Sequence, residues 1–345
     1  MAATKTLRAA VVGLGLGRHH VEAYAANPAV ELAALCDANA ERLTGYLNRL
    51  PGTRGYADLE EMLGQERLDL VSIVTPDWLH VGMGIQALRA GAHVISTKPL
   101  TTTIEDARSL IAAAEKAGRH LMVAHERRFH PRYRAMKRVL EEGLLGQIFY
   151  AELDYFTHKG RQFDNTPWYK SAEHPRDAIL GTGAHAVDLL RWFAGEVEEA
   201  WGAGNHLAYK EFPGDDCQIG VFRLAGGAIG KVTQTYGSIR GAGEPDLRVV
   251  LHGTKGSLED EKVFSLDFFD GAPVAEVAER KPWRAVPPVA QEVSSHRATI
   301  DHFVDCLVHG REPQPDGREG ARTVAACLAV VESARTGVPV KPAQF

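Results

Sequence analysis

Three closely spaced glycines follow an apolar run over 8–12 and precede a helical pattern over 21–27. Glycine lets the backbone turn tightly and approach a pyrophosphate, and the free N–H groups of a helix amino terminus stabilise its charge. This arrangement predicts the phosphate-binding turn of a dinucleotide site. The residues that we expect at the turn are Gly13, Gly15, Leu16, Gly17 and Arg18.

A second apolar run, over 30–36, ends at Asp37, which lies 20 residues after Gly17. A carboxylate at this place accepts hydrogen bonds from the adenosine ribose and repels the additional phosphate of NADP. The sequence therefore predicts NAD as the cofactor, with NADP less favoured. Arg18 stands where the commoner Gly-x-Gly-x-x-Gly pattern has its third glycine. Two interpretations of Arg18 stay open, contact with the pyrophosphate or a solvated position on the outer face of the helix.

Lys98 is the first candidate for catalysis, because it follows a strand predicted over 93–96 and precedes Pro99. Parallel sheets bind ligands outside the carboxyl ends of their strands, where an ammonium can stabilise the charge of a reacting hydroxyl. The alternative is a solvated surface lysine. We expect Lys98 to contact the cofactor as well, and three further cofactor-binding candidates are Thr75, Pro76 and His80. His80 has an equal alternative as a residue that caps or packs its helix.

His185 is the second catalytic candidate, on a helix predicted over 184–193. An imidazole, whose ordinary pKa is about 6.5, exchanges protons readily near neutral pH. A histidine that packs or caps the helix is the alternative. The preceding loop combines aromatic and hydrogen-bonding side chains, as sugar pockets do, although a loop packed only on its own rings has the same composition. The residues that we expect to contact substrate are Lys98, His158, Trp168, Tyr169, Asp177 and His185.

Strands and helices alternate as far as residue 124, which predicts a doubly wound parallel sheet. Longer strands follow residue 129, and several alternate apolar and polar side chains, which is typical of an antiparallel sheet with one covered face. We therefore predict an α/β fold followed by an α+β fold. A Rossmann domain covers 1–125, and an open-faced, predominantly antiparallel domain for substrate binding and oligomerisation covers 126–345. The C-terminal helices of the second domain pack back on the first in this interpretation.

Several motifs occur in an order that resembles one family. They are Thr75-Pro76-Asp77-Trp78-Leu79-His80, Thr97-Lys98-Pro99-Leu100, His125-Glu126-Arg127-Arg128-Phe129, Gly183-Ala184-His185-Ala186-Val187-Asp188 and Leu251-His252-Gly253-Thr254-Lys255-Gly256. Over nearly its whole length the chain resembles the glucose–fructose oxidoreductase, inositol dehydrogenase and MocA (Gfo/Idh/MocA) family. The resemblance implies hydride transfer at a carbinol carbon of a sugar, cyclitol or related polyol, with Lys98 and His185 at the reacting hydroxyl.

Two positions depart from the family pattern. Thr97 stands where the family motif has a glutamate, and Gly181 stands where the family often has an aspartate that contacts substrate. The groups that remain open as replacements for the aspartate are Asp164, Asp177, His158 and Tyr236. The change keeps two alternative functions open. One is transient oxidation within an elimination or glycoside cleavage, and the other is a catalytically silent regulator that binds a dinucleotide and a sugar.

The composition of the 345 residues limits the remaining classes, because 45% are hydrophobic, 24% are charged and the net charge is −5. These values are typical of a soluble globular protein, and without a long basic run they exclude nucleic-acid and anionic-membrane partners. No segment reaches a transmembrane length, and the four separated cysteines predict buried thiols in a reducing cytoplasm. The spacing of histidines and cysteines predicts no metal site. We expect a homodimer or homotetramer formed through the open sheet.

Overall fold

The computed structural model of the protein describes residues 6–240, 246–269, 274–277 and 281–345. The chain divides into two compact units. The first unit contains Met1–Phe129, Glu292–Val324 and Phe345, and the second contains His130–Gln291 and Ala325–Gln344. The last part of the sequence therefore contributes residues to both units.

Both units combine strands with helices. In chain order the strands are β1 (Leu7–Val12), β2 (Val30–Cys36), β3 (Arg54–Tyr56), β4 (Leu70–Ile73), β5 (His93–Thr97), β6 (Leu121–Ala124), β7 (Ile148–Phe156), β8 (Val197–Asn205), β9 (Cys217–Leu224), β10 (Ile229–Thr235), β11 (Leu247–Gly253), β12 (Gly256–Glu259), β13 (Lys262–Ser265) and β14 (Arg284–Ala285). The α-helices are α1 (Arg18–Ala25), α2 (Ala40–Leu47), α3 (Leu59–Gln65), α4 (His80–Arg89), α5 (Ile104–Ala117), α6 (Pro131–Glu141), α7 (Gly160–Asn165), α8 (Ala178–Gly181), α9 (Ala184–Ala194), α10 (Val274–Val277), α11 (Ser295–Val308) and α12 (Gly317–Thr336). Short 3-10 helices cover Asp77–Leu79, Glu126–Phe129, Pro167–Lys170 and Leu266–Phe269.

The sheet of the first unit is parallel, with the strand order β3-β2-β1-β4-β5-β6. Its central strands are apolar runs that are buried on both sides, as in β4, where every residue is buried. The winding direction of the chain reverses between β1 and β4, and their carboxyl ends border the crevice where such sheets bind ligands. The predicted Rossmann sheet is confirmed.

The sheet of the second unit has the order β14-β13-β12-β11-β7-β10-β9-β8. Strands β7 and β10 pair in parallel, and the other described pairs are antiparallel. Helix α9 packs on one face, where a Cβ atom on Gly230 would lie 3.0 Å from the Leu190 side chain. On the opposite face Ile219 and Val221 stay 37% and 40% exposed. The prediction of an open-faced, predominantly antiparallel sheet is confirmed.

Several elements differ from the sequence prediction for local reasons. Helix α1 begins at Arg18, ahead of the predicted range 21–27, because Gly17 already serves as its N-cap. Helix α2 was not predicted, although the Asn39 side chain caps it by accepting a hydrogen bond from the Arg42 N–H at 2.8 Å. The hairpin of β12 and β13 was also missed, since each strand has four residues.

Two further observations concern the membrane and cysteine predictions. Within the described ranges, no helix combines the length and apolar composition that a membrane crossing requires. None of the four cysteines, all of which lie within the described ranges, forms a disulfide, and three of them are buried. Cys217 is partly exposed because it lies on the same open face of β9 as Ile219 and Val221. The prediction that all four thiols are buried is therefore wrong for Cys217.

Candidate active site

The turn after β1 is shaped by two glycines that have no room for a side chain. Gly13 has a φ of +86°, and a Cβ atom there would lie 2.5 Å from the carbonyl oxygen of Val74. A Cβ atom on Gly17 would overlap the carbonyl oxygen of Gly13. The amino terminus of α1 therefore packs directly on the turn, and Gly17 has the packing role of the third glycine of the dinucleotide fingerprint.

Gly15 faces open space, because a Cβ atom on it would meet no atom within 4 Å. Its neighbour Leu16 is 56% exposed. Backbone N–H groups at the start of α1 and the positive end of the helix dipole favour an anion here. The turn is thus a cradle that a pyrophosphate fits.

The carboxylate of Asp37 ties the same turn to the end of β2. Its Oδ2 accepts a hydrogen bond from the Leu14 N–H at 2.7 Å, and its Oδ1 accepts one from the Asn39 N–H at 2.8 Å. Arg42 donates to Oδ2 at 3.1 Å through a side chain that is 45% exposed. Arg42 also reaches Oδ1 at 3.3 Å, so the contacts with Leu14, Asn39 and Arg42 occupy the lone pairs of both oxygens. The sequence analysis missed Arg42, for which the capping residue Asn39 was the available signal.

His80 joins the loops that follow β4 and β5. Its ring is buried, with Nδ1 3.0 Å from the Pro99 carbonyl oxygen and Nε2 3.0 Å from the Thr75 carbonyl oxygen. Burial lowers the pKa of His80, and the charge of Lys98 adds to that effect, so the ring is neutral at pH 7. Lys98 itself is half-buried. One imidazole therefore lies between the two backbone segments that carry the candidate residues of this edge.

His185 lies in the second unit, as the second residue of α9, and is buried. Its ring meets the Tyr155 ring edge-on, with the centroids 6.2 Å apart. Tyr155 belongs to β7, on which α9 packs. The backbone N–H of His185 donates to the Thr182 carbonyl oxygen at 3.2 Å. Helix α9 and the strand beneath it thus position the imidazole.

Gly181 has the hydroxyl group of Tyr236 beside it. A Cβ atom on Gly181 would lie 2.6 Å from Tyr236 Oη and 3.6 Å from Arg176 Nε. Tyr236 is fully buried, and its hydroxyl oxygen accepts a hydrogen bond from the Thr182 N–H at 3.2 Å. Burial raises the pKa of Tyr236, so the phenol is neutral. The volume into which an aspartate side chain would extend from position 181 is occupied by this phenol.

Arg176 is a buried cation that the sequence analysis missed, because nothing in its sequence context distinguishes it from a solvated arginine. Its guanidinium carbon lies 4.0 Å from the centroid of the Tyr169 ring and 4.4 Å from that of Trp168. Burial lowers the pKa of Arg176 to about 10, which leaves it protonated at neutral pH. Two predicted substrate-binding residues thus form cation–π contacts with Arg176.

The other predicted substrate-binding residues of this unit have partners of their own. The His158 ring lies edge-on to Tyr209, with centroids 6.0 Å apart. Asp177 accepts a hydrogen bond from the Asp215 N–H at 3.0 Å, and burial raises the pKa of Asp177. Tyr169 also belongs to a buried aromatic cluster with Phe163, Phe212 and Tyr236. Much of this loop therefore packs on its own aromatic rings.

The predicted site residues fall into two groups, one in each unit. The first unit brings together, at the carboxyl ends of its strands, Gly13, Gly15, Leu16, Gly17, Arg18, Asp37, Thr75, Pro76, His80 and Lys98. The second unit contains His158, Trp168, Tyr169, Asp177 and His185. In the described parts of both units, no three His, Cys, Asp or Glu side chains are grouped as a metal site requires.

Comparison with known proteins covers both units. Residues 7–125 match an oxidoreductase family described by its NAD-binding Rossmann fold, and residues 133–259 match the Gfo/Idh/MocA C-terminal domain. D-apiose dehydrogenase of Paraburkholderia graminis is 31% identical over 343 residues, which cover 98% of this chain and 90% of the relative. The chain belongs to the Gfo/Idh/MocA oxidoreductase family.

Further Gfo/Idh/MocA matches extend over nearly the whole chain. Inositol 2-dehydrogenase of an Arthrobacter species is 26% identical over 343 residues, covering 98% of this chain and 96% of the relative. The WlbA dehydrogenase from Bordetella pertussis, solved in complex with NADH and UDP-GlcNAcA, is 28% identical with a TM-score of 0.83. That alignment covers 99% of this chain and 100% of the other. The family resemblance predicted from the sequence motifs is confirmed.

Proposed function

We propose that this Gfo/Idh/MocA protein is an NAD(H)-dependent oxidoreductase that transfers a hydride at a carbinol carbon of a sugar, cyclitol or related polyol. The observation that carries the proposal is the dinucleotide cradle. In it, Gly13 and Gly17 have no room for a side chain, and Asp37 accepts a hydrogen bond from the Leu14 N–H. Relatives named D-apiose dehydrogenase and inositol 2-dehydrogenase support a polyhydroxylated substrate.

NAD would be held along the carboxyl edge of the parallel sheet. The first N–H groups of α1, together with Arg18, bind the diphosphate, and Asp37 binds the adenosine ribose. Thr75, Pro76 and His80 would lie beside the rest of the dinucleotide. When bound, NAD accepts a hydride from the substrate carbon or, as NADH, returns it. The chain contributes binding and orientation.

Lys98 and His185 handle the substrate hydroxyl in this proposal. The Lys98 ammonium donates a hydrogen bond to the hydroxyl oxygen and stabilises its developing negative charge. The His185 imidazole accepts the hydroxyl proton during oxidation and returns it during reduction. A neutral His80 supports this division of roles, because it holds the Lys98 loop without adding charge to the site.

We assign substrate binding in the second unit to the loop that ends at Asp177. The aromatic face of Trp168 suits the apolar face of a sugar ring, while Tyr169 is buried beside it and supports it, and Arg176 packs on both rings. His158 and Asp177 supply hydrogen-bonding groups for hydroxyls.

Copies of the chain associate, in our proposal, through the open face of the second sheet. Ile219, Val221 and Ile229 on this face are 37%, 40% and 55% exposed. Beside them Lys231 forms an ion pair with Asp154 at 3.1 Å. An apolar patch bordered by fixed charges is typical of a surface that binds a partner.

The proposed activity is tested by nicotinamide absorbance, using the full chain with NAD and a panel of aldoses and cyclitols. We expect Lys98→Ala to lower kcat by about 100-fold or more, the scale of a positioned electrostatic or acid–base group. We expect NAD affinity to change by less than about threefold, because the glycine turn and Asp37 carry most of the binding. Lys116→Ala on α5, an exposed lysine, is the matched control and should keep wild-type turnover.

Two outcomes would contradict the proposal. Near wild-type turnover in Lys98→Ala would remove that lysine from the mechanism. Substrate conversion without a net absorbance change would instead indicate that the cofactor is regenerated in every cycle, as in an oxidation that serves an elimination. His185→Ala in the same assay tests the second catalytic assignment independently.

A further inference from the structure

Two helix amino termini meet beside the glycine turn of the first unit. His19 and His296 are the second residues of α1 and α11, and their rings stack with centroids 4.3 Å apart and an interplanar angle of 23°. Just beyond the end of α1, the Asn27 side chain donates to Oδ1 of Asp301 on α11 at 2.7 Å. The two helices therefore run side by side in the same direction. The positive ends of both helix dipoles lie at the imidazole pair.

Basic side chains surround this pair. Arg18 Nε donates to His19 Nε2 at 3.3 Å. Burial lowers the pKa of His19, and the charges of His296 and Arg18 lower it further. Burial also lowers the pKa of His296. Both rings are therefore neutral in the free protein at pH 7. Arg127 and Arg18 oppose protonation of His296, whereas Glu22 and Glu126 favour protonation of His19. The buried His20 also lies close to both rings, and burial lowers its pKa to about 3, so it stays neutral.

A diphosphate bound at the glycine turn would act against this balance. The cradle for it lies at the amino terminus of α1, and Gly17 is only two residues from His19. Negative charge at this place favours the imidazolium form of a neighbouring histidine and offsets the repulsion by Arg18. A protonated ring also donates charge-assisted hydrogen bonds to phosphate oxygens. We expect the pair to take up one proton, because a second positive charge would be repelled by the first across the stacked rings.

We propose that His19 and His296 belong to the dinucleotide site and that the pair takes up a proton when the diphosphate binds. The inference rests on the proposed binding of NAD and adds to it two binding residues and a coupling to pH. If a proton is taken up on binding, the affinity for NAD increases as the pH falls. The increase occurs between the pKa of the free pair and the higher pKa of the pair in the complex. For one proton the increase is at most about tenfold per pH unit.

Calorimetric titration of the full chain with NAD at pH 7, in buffers of different ionisation enthalpy, counts the protons exchanged. We expect net uptake in the wild type. ADP-ribose, which keeps the diphosphate and lacks the nicotinamide, should give the same uptake, and adenosine should give none. Binding of NAD without net uptake would overturn the inference and leave the proposed function intact. Failure to bind any of the dinucleotides would overturn both.

Two variants and a matched control locate the proton. His19→Gln and His296→Gln should each abolish the uptake and flatten the pH dependence of NAD affinity, while NAD still binds. His309→Gln is the control, because His309 follows the opposite end of α11 and its side chain is 61% exposed. It should keep the wild-type uptake. Uptake that persists in both test variants would show that another group takes the proton, which contradicts our assignment.

Discussion

In our proposal, Asp37 and Arg42 together determine how strongly the adenosine pocket distinguishes NAD from NADP. The carboxylate repels a 2′-phosphate, whereas the arginine 3.1 Å away attracts it and reduces the net negative charge of the pocket. Because Arg42 is 45% exposed, its ion pair is weak enough to be exchanged for one with a phosphate. Discrimination therefore depends on both side chains.

We expect replacement of Arg42 to increase the preference for NAD over NADP. In Arg42→Ala we expect kcat/KM with NADP to fall by about tenfold, equivalent to about 1.4 kcal/mol, and kcat/KM with NAD to change by less than about twofold. Arg49→Ala, beyond the end of α2, is the control, because its Nε donates to the Gly45 carbonyl oxygen and not to Asp37. Asp37→Ser should move the ratio towards NADP. An unchanged NADP efficiency in Arg42→Ala would show that Arg42 stays paired with Asp37 when the dinucleotide binds.

The phenol of Tyr236 joins the end of helix α8 to the end of β10. Tyr236 follows β10 directly, and its hydroxyl oxygen accepts a hydrogen bond from the N–H of Thr182. The same oxygen fills the space next to Gly181. The sequence analysis identified Gly181 as a departure from the family pattern and gave four possible replacements for the family aspartate, Tyr236 among them. It could not choose between them, because Gly181 and Tyr236 come together only when a helix packs on a strand.

This packing makes a specific double variant informative. Gly181→Asp alone should lose about 1–3 kcal/mol of stability through overpacking against Tyr236 Oη. Adding Tyr236→Phe should recover most of that loss. In the active double variant, the ascending limb of the pH–rate profile should move to higher pH, because a carboxylate favours the protonated form of His185. Thermal unfolding and pH-dependent turnover measure the two effects, with Tyr236→Phe alone as the control. A stable Gly181→Asp single variant would show that the phenol does not fill this volume.

The elements that the sequence predicted well are those whose burial leaves a clear pattern. Strand β4 is buried throughout and has one polar residue, Ser72, and β9 alternates between buried residues and residues that are partly or fully exposed. Helix α2 has one buried residue, Leu43, and therefore lacks a wide apolar stripe. Strand β3 has three residues, of which Tyr56 is buried, which is too short for any periodicity. Weakly buried elements carry little sequence signal.

At the scale of the whole molecule, the open face of the second sheet is the surface that we expect to join copies of the chain. Light scattering should give the wild type two or four times the chain mass of 37.6 kDa. Val221→Lys places a second cation opposite Lys231 in the register of β9 and β10, and should reduce the mass to that of one chain. Leu207→Lys, at a position 83% exposed outside the sheet, should keep the wild-type mass. A wild-type protein with the mass of one chain would contradict the proposal.

The candidate site shows the same division between local and long-range information. The glycine turn and Asp37 were predictable because they lie within one strand–helix–strand unit, where spacing alone determines proximity. His296 was not, because only the packing of α11 on α1 brings it to His19. Arg176 was not, because its burial depends on the rings of Trp168 and Tyr169 folding over it.

The contacts of the His80 ring with two carbonyl oxygens also bear on its tautomer. A neutral imidazole has a single N–H, yet both nitrogens of His80 face carbonyl oxygens. With the N–H on Nδ1, the ring donates to Pro99, and the lone pair of Nε2 faces the Thr75 carbonyl oxygen. With the N–H on Nε2, the ring donates to Thr75, and a lone pair faces the Pro99 carbonyl. The two loops therefore compete for one proton, and the tautomer with its N–H on Nδ1 is the one that donates to the loop carrying Lys98.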